Sequence, residues 1–395
     1  MVACAAMRPR LLLLSLLAIA PSAAAEAPKK VDAPKVELTP IAYVEVGASW
    51  NFNKPSNGIT NYRGFDNRHA TFSLTNVALG AQATYGPVEA RVVLQVGQTP
   101  STYYLAEPIL AGTPSTAASS PELWKYVQEA WLAYKAPIGR GLRLQGGVQL
   151  SPIGPESLAI KDSWSWSRSN LFFGLPFYHM GFKASYDLTD RWSVTAGVYN
   201  GWNNVIDGNL GKSVTGHVTY KLPDELTVQL LYFGGVERTK GAPEGEYWRS
   251  DFDAWAQWDV HPRVSLLAEL NGGFEPNRFG TSDWYAASFS ARFRLARFLY
   301  VAGRTDAFFE DVARNASGAA SPIFWPSRWV ASQTATVDLR PTDDHLSFRI
   351  EYRHDSAAGP TYFRGDVAGD GSAANPFVPN ARAQDTLTLG ATAWF

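Results

Sequence analysis

The sequence lacks three features that would assign it to familiar classes of protein. Its one cysteine, Cys4, precedes the first apolar run, and none follows Ala25, so the rest of the chain has no disulfide framework. No segment approaches 18 consecutive apolar residues, which excludes transmembrane helices. Neither charge sign dominates: beyond residue 25 there are 33 basic and 36 acidic residues, and the net charge near −3 argues against nucleic acid as a partner.

The first 25 residues have the layout of a secretory signal peptide. Arg8 and Arg10 precede an apolar run from Leu11 to Ile19, and small residues follow up to an Ala-x-Ala site at 23–25. The run is too short to span a bilayer, which requires roughly 20 helical residues. An uncleaved anchor is the alternative. We expect cleavage after residue 25 and then a short lead segment, 26–39, rich in proline and lysine.

Apolar and polar residues alternate through most of the remaining chain. In LSFRIEY at 346–352 every second residue is apolar, and LTVQLLY at 226–232 and YAASFSARFRL at 285–295 repeat the pattern. Strand side chains point alternately to opposite faces, so each stretch predicts a strand with one apolar and one polar face. Aromatic residues reach 13% of the chain. This composition fits a membrane protein made of strands, whose apolar residues are diluted by alternation.

Two kinds of connection alternate between these strands. Seven are short, and most contain the Gly, Pro or Asp that tight turns require: 85–88, 136–141, 188–191, 222–225, 260–263, 295–298 and 340–343. Eight are long and polar: 53–71, 99–124, 152–176, 203–212, 239–247, 276–282, 311–327 and 357–383. The expected fold is therefore an all-β transmembrane antiparallel barrel of about sixteen strands over 40–395, with short periplasmic turns and long extracellular loops. The lead segment at 26–39 would then be periplasmic.

A soluble β-sandwich is the alternative, since its strands also alternate. Two observations favour the barrel. Aromatic residues cluster at strand ends, where an amphipathic ring prefers the headgroup level of a membrane; they include Tyr85, Tyr134, Tyr186, Trp192, Tyr220, Trp258, Phe298 and Trp329. The polar faces carry full charges at mid-strand, such as Arg91, Glu129 and Glu269, which in a barrel would meet a wet lumen.

The third long loop, 152–176, mixes apolar residues with charges. It holds Trp164, Trp166 and an apolar stretch at 171–175, which should not stand exposed to water. We expect it to fold inward and to narrow the lumen with charges of both signs, as constrictions do that select by diameter and electrostatics. The charged residues of this constriction are Glu156, Lys161, Asp162 and Arg168. An outward loop that packs on its neighbours is the alternative.

Basic residues outnumber acidic ones on the faces assigned to the lumen. Five of them fall on neighbouring strands in the C-terminal part: Arg292, Arg294, Arg304, Arg349 and Arg353. A basic wall would favour anions. The alternative is that these arginines pair with carboxylates such as Glu351 and Asp306 and line the lumen without favouring anions.

No motif for catalysis or for a cofactor is evident. The stretch RHDS at 353–356 contains His, Asp and Ser, but adjacent strand residues point to opposite faces and cannot form a triad. The six histidines lack metal-ligand spacing, and the loop GDVAGDG at 365–371 does not match a calcium loop. A phosphate-binding loop and a dinucleotide fingerprint are also missing. We therefore expect no enzyme activity and no cofactor.

Several motifs resemble those of the OmpL-like β-barrel porin family. They are SPIGPE at 151–156, PFYHMG at 176–181, VYNGWNN at 198–204 and the stretch YVEVGASWNFNKPSNGITNYRGFDNRH at 43–69. The resemblance spans essentially the whole chain after the predicted signal peptide, and it implies an outer-membrane barrel with passive solute passage. The ending DTLTLGATAWF resembles the terminal signal of bacterial outer-membrane proteins, which implies that Phe395 is read by the barrel-assembly machinery.

These observations predict a porin in the bacterial outer membrane. Small hydrophilic solutes would diffuse through a polar lumen narrowed by the third loop, and the outer face would contact membrane lipids. A homotrimer would be typical of such porins. The alternative function is a structural or adhesive surface barrel that binds partners through its external loops.

Overall fold

The computed structural model describes residues 35–112, 118–314, 323, 327–342 and 345–395. The predicted signal peptide and most of the predicted lead segment lie outside the described residues. The first strand begins at Glu37, so residues 37–39 of the predicted lead belong to the barrel.

Sixteen strands occur in the described part of the chain, and all neighbours are antiparallel. They are β1 (Glu37–Asn51), β2 (Thr71–Tyr85), β3 (Val88–Val96), β4 (Val127–Ala136), β5 (Leu142–Leu150), β6 (Tyr178–Asp187), β7 (Trp192–Tyr199), β8 (Ser213–Leu222), β9 (Leu226–Val236), β10 (Trp248–His261), β11 (Val264–Asn277), β12 (Gly280–Ala296), β13 (Leu299–Asp311), β14 (Trp329–Leu339), β15 (Leu346–Ala357) and β16 (Ala383–Trp394). Each strand pairs with its sequence neighbours, and β1 pairs with β16, so the sheet closes into a barrel. The predicted fold class is confirmed.

Short helices occur only between strands in the described residues. The connection from β3 to β4 contains α1 (Gln98–Tyr103) and α2 (Pro121–Trp124), and the connection from β5 to β6 contains α3 (Asn170–Phe173) after a single 3₁₀ turn at Ile160–Asp162. None of the described helices is long and apolar enough to cross a membrane.

In the described part of the chain the strand ends agree with the predicted connections with one exception, and most of the long loop predicted at 311–327 lies outside the described residues. All seven short turns lie between the expected strands, and Gly86 in the first has a φ of +56°, a left-handed value that favours glycine. The sixth long loop, predicted at 276–282, is wrong: β11 runs to Asn277 and β12 starts at Gly280. Its polar residues lengthen two strands instead, because a tight turn at 278–279 lets Pro276 pair with Thr281.

The seam between the first and last strands closes the barrel. Tyr43 lies opposite Trp394 and Asn51 lies opposite Thr386, and the backbone N–H of Phe395 donates to the Ala42 carbonyl at 2.9 Å. A spanning sheet has to close in this way, because unpaired backbone groups in lipid cost several kcal/mol each. Because the number of antiparallel strands is even, both ends of the barrel lie on the same side.

The two faces of the sheet differ as the alternation predicts. The outward face carries exposed apolar side chains at mid-barrel, including Leu230, Leu270, Phe289, Ile350 and Leu389. Tyr85, Tyr134, Trp192, Trp258 and Phe298 form an exposed aromatic set next to the short turns. An apolar band flanked by aromatic residues is typical of barrels that face lipid.

The inward face is polar, and an apolar core lies within the barrel rather than outside it. This core joins loop residues such as Phe65, Tyr104 and Leu171 to inward strand residues such as Phe233 and Phe308. The apolar residues of the external loops therefore pack against the inner wall of the strands. The loop residues of this core come from the connections of β1 to β2, β3 to β4, β5 to β6, β7 to β8, β13 to β14 and β15 to β16.

We expect a charge on the outer face to destabilise the barrel far more than one on the inner face. Leu270 is 63% exposed on the outer face at mid-barrel, so Leu270→Arg should lower the free energy of unfolding by about 2–4 kcal/mol. Urea titration in lipid vesicles would measure the loss. Leu267→Arg on the same strand is the matched control, because Leu267 lies on the inner face between Gln257 and Ser290. Equal losses would contradict the assignment of the two faces.

Candidate functional site

The candidate site is the segment 151–177, which connects β5 to β6, together with the inward side chains that it contacts. Ser169 caps α3 by accepting a hydrogen bond from the Phe172 N–H at 3.0 Å. Arg168 ties the segment to itself, because its guanidinium donates to the carbonyls of Ser157, Leu158 and Trp166. The segment is therefore an ordered unit rather than a plain linker.

Glu351 on β15 binds the backbone of this segment. Its carboxylate accepts the Trp166 N–H at 2.5 Å and the Ser167 N–H at 2.9 Å, and the Thr336 hydroxyl on β14 also donates to it at 2.9 Å. The residue is buried. Hydrogen bonds to a carboxylate are stronger than those between neutral groups, so Glu351 acts as an anchor for the segment.

Three arginines of the wall bind the carbonyl groups of the same stretch. Arg349 donates to the Ser165 carbonyl at 2.9 Å, and Arg304 donates to the Ser167 carbonyl at 2.6 Å. Arg353 donates to the Arg168 carbonyl. Wall cations thus bind the carbonyls of Ser165, Ser167 and Arg168, while a wall anion binds the N–H groups of residues 166 and 167 between them. Charge-assisted hydrogen bonds of this kind are roughly twice as strong as neutral ones.

Trp166 fits between two glycines on the seam strands. A Cβ atom at Gly47 would lie 2.7 Å from the indole, and one at Gly390 would lie 2.2 Å from it. Any larger residue at Gly390 would therefore clash with the ring. Gly47 and Gly390 face each other across the β1–β16 pair, so the seam itself provides the seat for the indole.

Further contacts extend along the segment to other strands. Ile160 donates its N–H to Glu45 on β1 at 2.6 Å, and Ala159 packs with Tyr43, Ala78 and Val93. Near the start of the segment, the Pro152 carbonyl accepts from Gln229 on β9 at 2.9 Å and the Gly154 N–H donates to Asp253 on β10 at 3.3 Å. Residues 152–170 therefore contact strands that are distant from β5 and β6 around the barrel, namely β1, β9, β10, β13 and β15.

The ten residues singled out from the sequence occupy three kinds of place. Glu156, Arg168, Arg304, Arg349, Glu351 and Arg353 gather around the backbone of 156–170. Lys161 and Asp162 form their own ion pair at 2.8 Å, and Asp162 is exposed. Arg292 and Arg294 lie near the short-turn end of β12, and of the two Arg292 contacts the segment, at Trp164.

The five arginines expected to form one basic wall are thus divided. Arg304, Arg349 and Arg353 are buried and ion-paired, with Glu156 and Asp306, with Asp338, and with Asp355, respectively. Arg292 stacks on Trp164 at 4.9 Å and on Tyr300 at 5.5 Å, while Arg294 and Arg340 also contact the Tyr300 ring. Arg294 is exposed, and Arg292 is half-buried. Of the five, only these two are not fully buried.

Sequence reasoning missed the contribution of the other external loops. Glu107, in the connection from β3 to β4, accepts hydrogen bonds from the Tyr178 hydroxyl at 2.8 Å and from the N–H groups of Val205 and Ile206 at 2.8 and 3.1 Å. Burial raises the pKa of Glu107. The residue ties the β3–β4 connection to β6 and to the β7–β8 connection, but a lone glutamate in a polar loop gives no signal of this in the sequence.

The described residues contain no group of three or more His, Cys, Asp or Glu side chains placed to hold a metal ion. A closed sixteen-stranded barrel with an apolar outer band and a polar interior defines the porin class of outer-membrane proteins. The profile of the family described as "Putative beta-barrel porin-2, OmpL-like" matches residues 37–395. The chain belongs to this family, and its location is the bacterial outer membrane.

Solved structures with the same fold include an outer-membrane channel and a porin. The anion-selective porin from Comamonas acidovorans is similar with a TM-score of 0.61 at 11% identity, covering 91% of this chain and 100% of that one. The outer-membrane channel DcaP of Acinetobacter baumannii gives 0.56 at 10% identity, covering 91% and 97%. The trimer form of OmpT from Vibrio cholerae gives 0.57 at 12% identity, covering 92% and 100%. No curated protein sequence matches the chain significantly.

We expect Gly390→Leu to displace Trp166 and loosen the segment 151–177. The side chain would occupy the space of the indole, which should cost about 1–3 kcal/mol of folding free energy by overpacking. Trypsin should then cleave after Arg168, which is buried in the intact protein, and mass spectrometry would detect the peptide. Gly216→Leu is the matched control, since a Cβ at Gly216 meets no atom within 4 Å. Resistance of both variants to trypsin would contradict the role of the Gly390 seat.

Proposed function

We propose that this protein is a porin that lets small hydrophilic solutes diffuse passively through a polar lumen narrowed by the segment 151–177. The observation that carries the proposal is the bonding of this segment to inward residues of β1, β9, β10, β13 and β15. A segment that starts at β5 and ends at β6 must cross the interior to reach those strands. The family and the similar structures are porins and channels, which supports the same role.

The constriction differs from the one expected from charges alone. Five of the predicted constriction residues would hold the segment in place, because their charged groups are bonded to backbone groups or to carboxylates of the wall. They are Arg168, Arg304, Arg349, Glu351 and Arg353. The charges that solutes meet would be those that are not fully buried: Asp162 and Arg294, which are exposed, and Lys161 and Arg292, which are half-buried. Pore diameter would thus be set by packing, and selectivity by these few charges.

Arg292 and Arg294 support a preference for anions. They lie two residues apart on β12, and Arg340 shares the Tyr300 ring with them. Asp259 and Asp338 are nearby acidic groups, and Asp338 is bonded to Arg340 at 2.9 Å. A mouth with surplus positive charge attracts anions over a distance of about one Debye length, roughly 8–10 Å at physiological ionic strength. One similar structure is that of an anion-selective porin.

The outer surface supports the remaining partners. Its apolar band would contact outer-membrane lipids, and a homotrimer is the proposed assembly because a similar barrel was solved in trimer form. Phe395 is 77% exposed although its N–H is bonded to β1. Its ring is therefore accessible to the barrel-assembly machinery, which we propose reads it.

Catalysis is not part of the proposed function. His354 points outward and pairs with Asp385 at 2.8 Å, whereas Asp355 points inward to Arg353, so the residues of RHDS lie on opposite faces. The structural or adhesive surface barrel remains the second candidate. Conduction separates the two, because a barrel of that kind would pass no ions in planar bilayers.

Deleting 157–172 and joining the ends through a glycine linker should raise single-channel conductance, because the packing that fills the lumen is removed. Planar bilayer recordings would measure the change. The control deletes 366–376, an exposed stretch of the last external loop, and should leave conductance unchanged. Unchanged current through a folded 157–172 deletion would show that the segment does not constrict the pore.

Changing both Arg292 and Arg294 to Ser should shift the reversal potential in a salt gradient toward cation preference, because the surplus positive charge at the mouth is lost. The matched control replaces Arg140 and Arg364, which are exposed residues outside the lumen. It removes the same charge and should not move the reversal potential. A shift of equal size in both variants would mean that net charge, rather than position, sets the selectivity.

A further inference from the structure

We propose that the external vestibule of the barrel is a binding site for small uncharged solutes that carry an aromatic ring or another flat apolar face. This inference rests on the proposed porin function and names the class of solute that the porin would favour. It follows from the volume of the vestibule, from the way its charges are engaged and from the aromatic rings along its floor.

The vestibule is a cavity of about 830 Å³ between the external connections. Tyr62, Tyr103, Phe173, Phe177 and Trp202 contribute aromatic side chains to its lining, and they come from four different connections. Ligand sites typically have volumes of roughly 300–1,000 Å³ and a mainly apolar lining with a few polar groups. The size therefore suits a solute of one or two rings.

The charges that line the vestibule are already engaged within the protein. Arg238 and Arg249 both bind Glu275, at 2.7 Å and at 2.7–2.9 Å, and Arg63 binds Asp66. Glu237 accepts hydrogen bonds from the Trp202 N–H and the Ser213 hydroxyl at 2.7 and 2.6 Å. A charged solute would lose its hydration without gaining these groups as partners, which is unfavourable.

Trp202 is the ring best placed to receive such a solute. It lies half-buried in the lining, with the Arg249 guanidinium 5.1 Å from its ring and Phe233 edge-on at 5.7 Å. Its neighbour Asn203 accepts the Phe177 N–H at 2.6 Å, which fixes the backbone next to it. A ring held from several sides loses little conformational freedom on binding, and ring–ring contacts add about 0.5–1.5 kcal/mol beyond area burial.

Aromatic side chains continue below the vestibule. A second cavity of about 210 Å³ shares Tyr103, Leu175 and Phe177 with the first. The Phe177 ring stacks on Tyr103 at 5.3 Å with an angle of 13° and on Phe172 at 5.2 Å with an angle of 23°. A solute that moves inward from the vestibule thus meets flat rings, whereas Arg292 and Arg294 act only on ions at the other mouth.

The test measures how added solutes block the ion current of the full-length protein in planar bilayers. Phenyl β-D-glucopyranoside should block half of the current at a concentration about tenfold lower than methyl β-D-glucopyranoside, the gain expected from one ring contact. Benzoate provides the charged aromatic comparison and should block more weakly than the phenyl glucoside. Equal block by the two glucosides, or tighter block by benzoate, would overturn the proposal.

Variants locate the site. Trp202→Ala should abolish the tenfold difference, and Trp202→Phe should restore most of it because a ring is kept. Trp248→Ala is the matched control, since Trp248 is exposed on the outer face, and it should preserve the difference. A difference that survives Trp202→Ala in a folded barrel would overturn the assignment; if that variant does not fold, Trp202→Leu replaces it under the same criterion.

A direct binding measurement separates this inference from the proposed function. Equilibrium dialysis of the detergent-solubilised protein against the two glucosides needs no conduction. Preferential binding of the phenyl glucoside by a barrel that passes no current would support the vestibule site and overturn the porin function. Ion current without preferential binding or block would support the porin and overturn the vestibule site.

Discussion

The whole structure depends on pairing every backbone group of the spanning strands within one closed sheet. A single unpaired edge in lipid would leave a row of N–H and C=O groups without partners, at several kcal/mol each. The β1–β16 pair removes that edge, and it also forms the seat of Trp166. Gly47 and Gly390 face each other across it, and their missing side chains leave the space that Trp166 fills. Closure of the barrel and seating of the inner segment therefore share the same two strands.

Polar residues of the inner wall hold the segment in a manner that resembles a strand ladder made of side chains. Glu351 accepts from two consecutive N–H groups, and Arg349, Arg304 and Arg353 donate to carbonyls on either side. Backbone that leaves a strand inside a membrane protein must still be satisfied, and here the wall supplies the partners. The charged residues that the alternating pattern places in the lumen therefore hold the backbone of the segment.

Different parts of the interior therefore have different roles. The buried ion pairs near β13–β15 hold the segment. In the functions proposed above, Arg292 and Arg294 near the short-turn end of β12 would act on ions, and the aromatic vestibule would receive solutes. Such a division would let a lumen with many charges favour uncharged rings at one end and discriminate between ions at the other.

The sequence by itself determined the barrel, the strand number and the face of each strand residue, because a period of two and short Gly- or Pro-containing turns follow from local backbone geometry. It failed at 276–282, where polar residues continue two strands past the usual length and the turn needs only two residues. Only the tertiary structure decided that Arg304, Arg349 and Arg353 bind backbone carbonyls while Arg292 stacks on Trp164. All five arginines lie on the face of their strand that alternation assigns to the lumen, and what separates them is which residues meet each one in space.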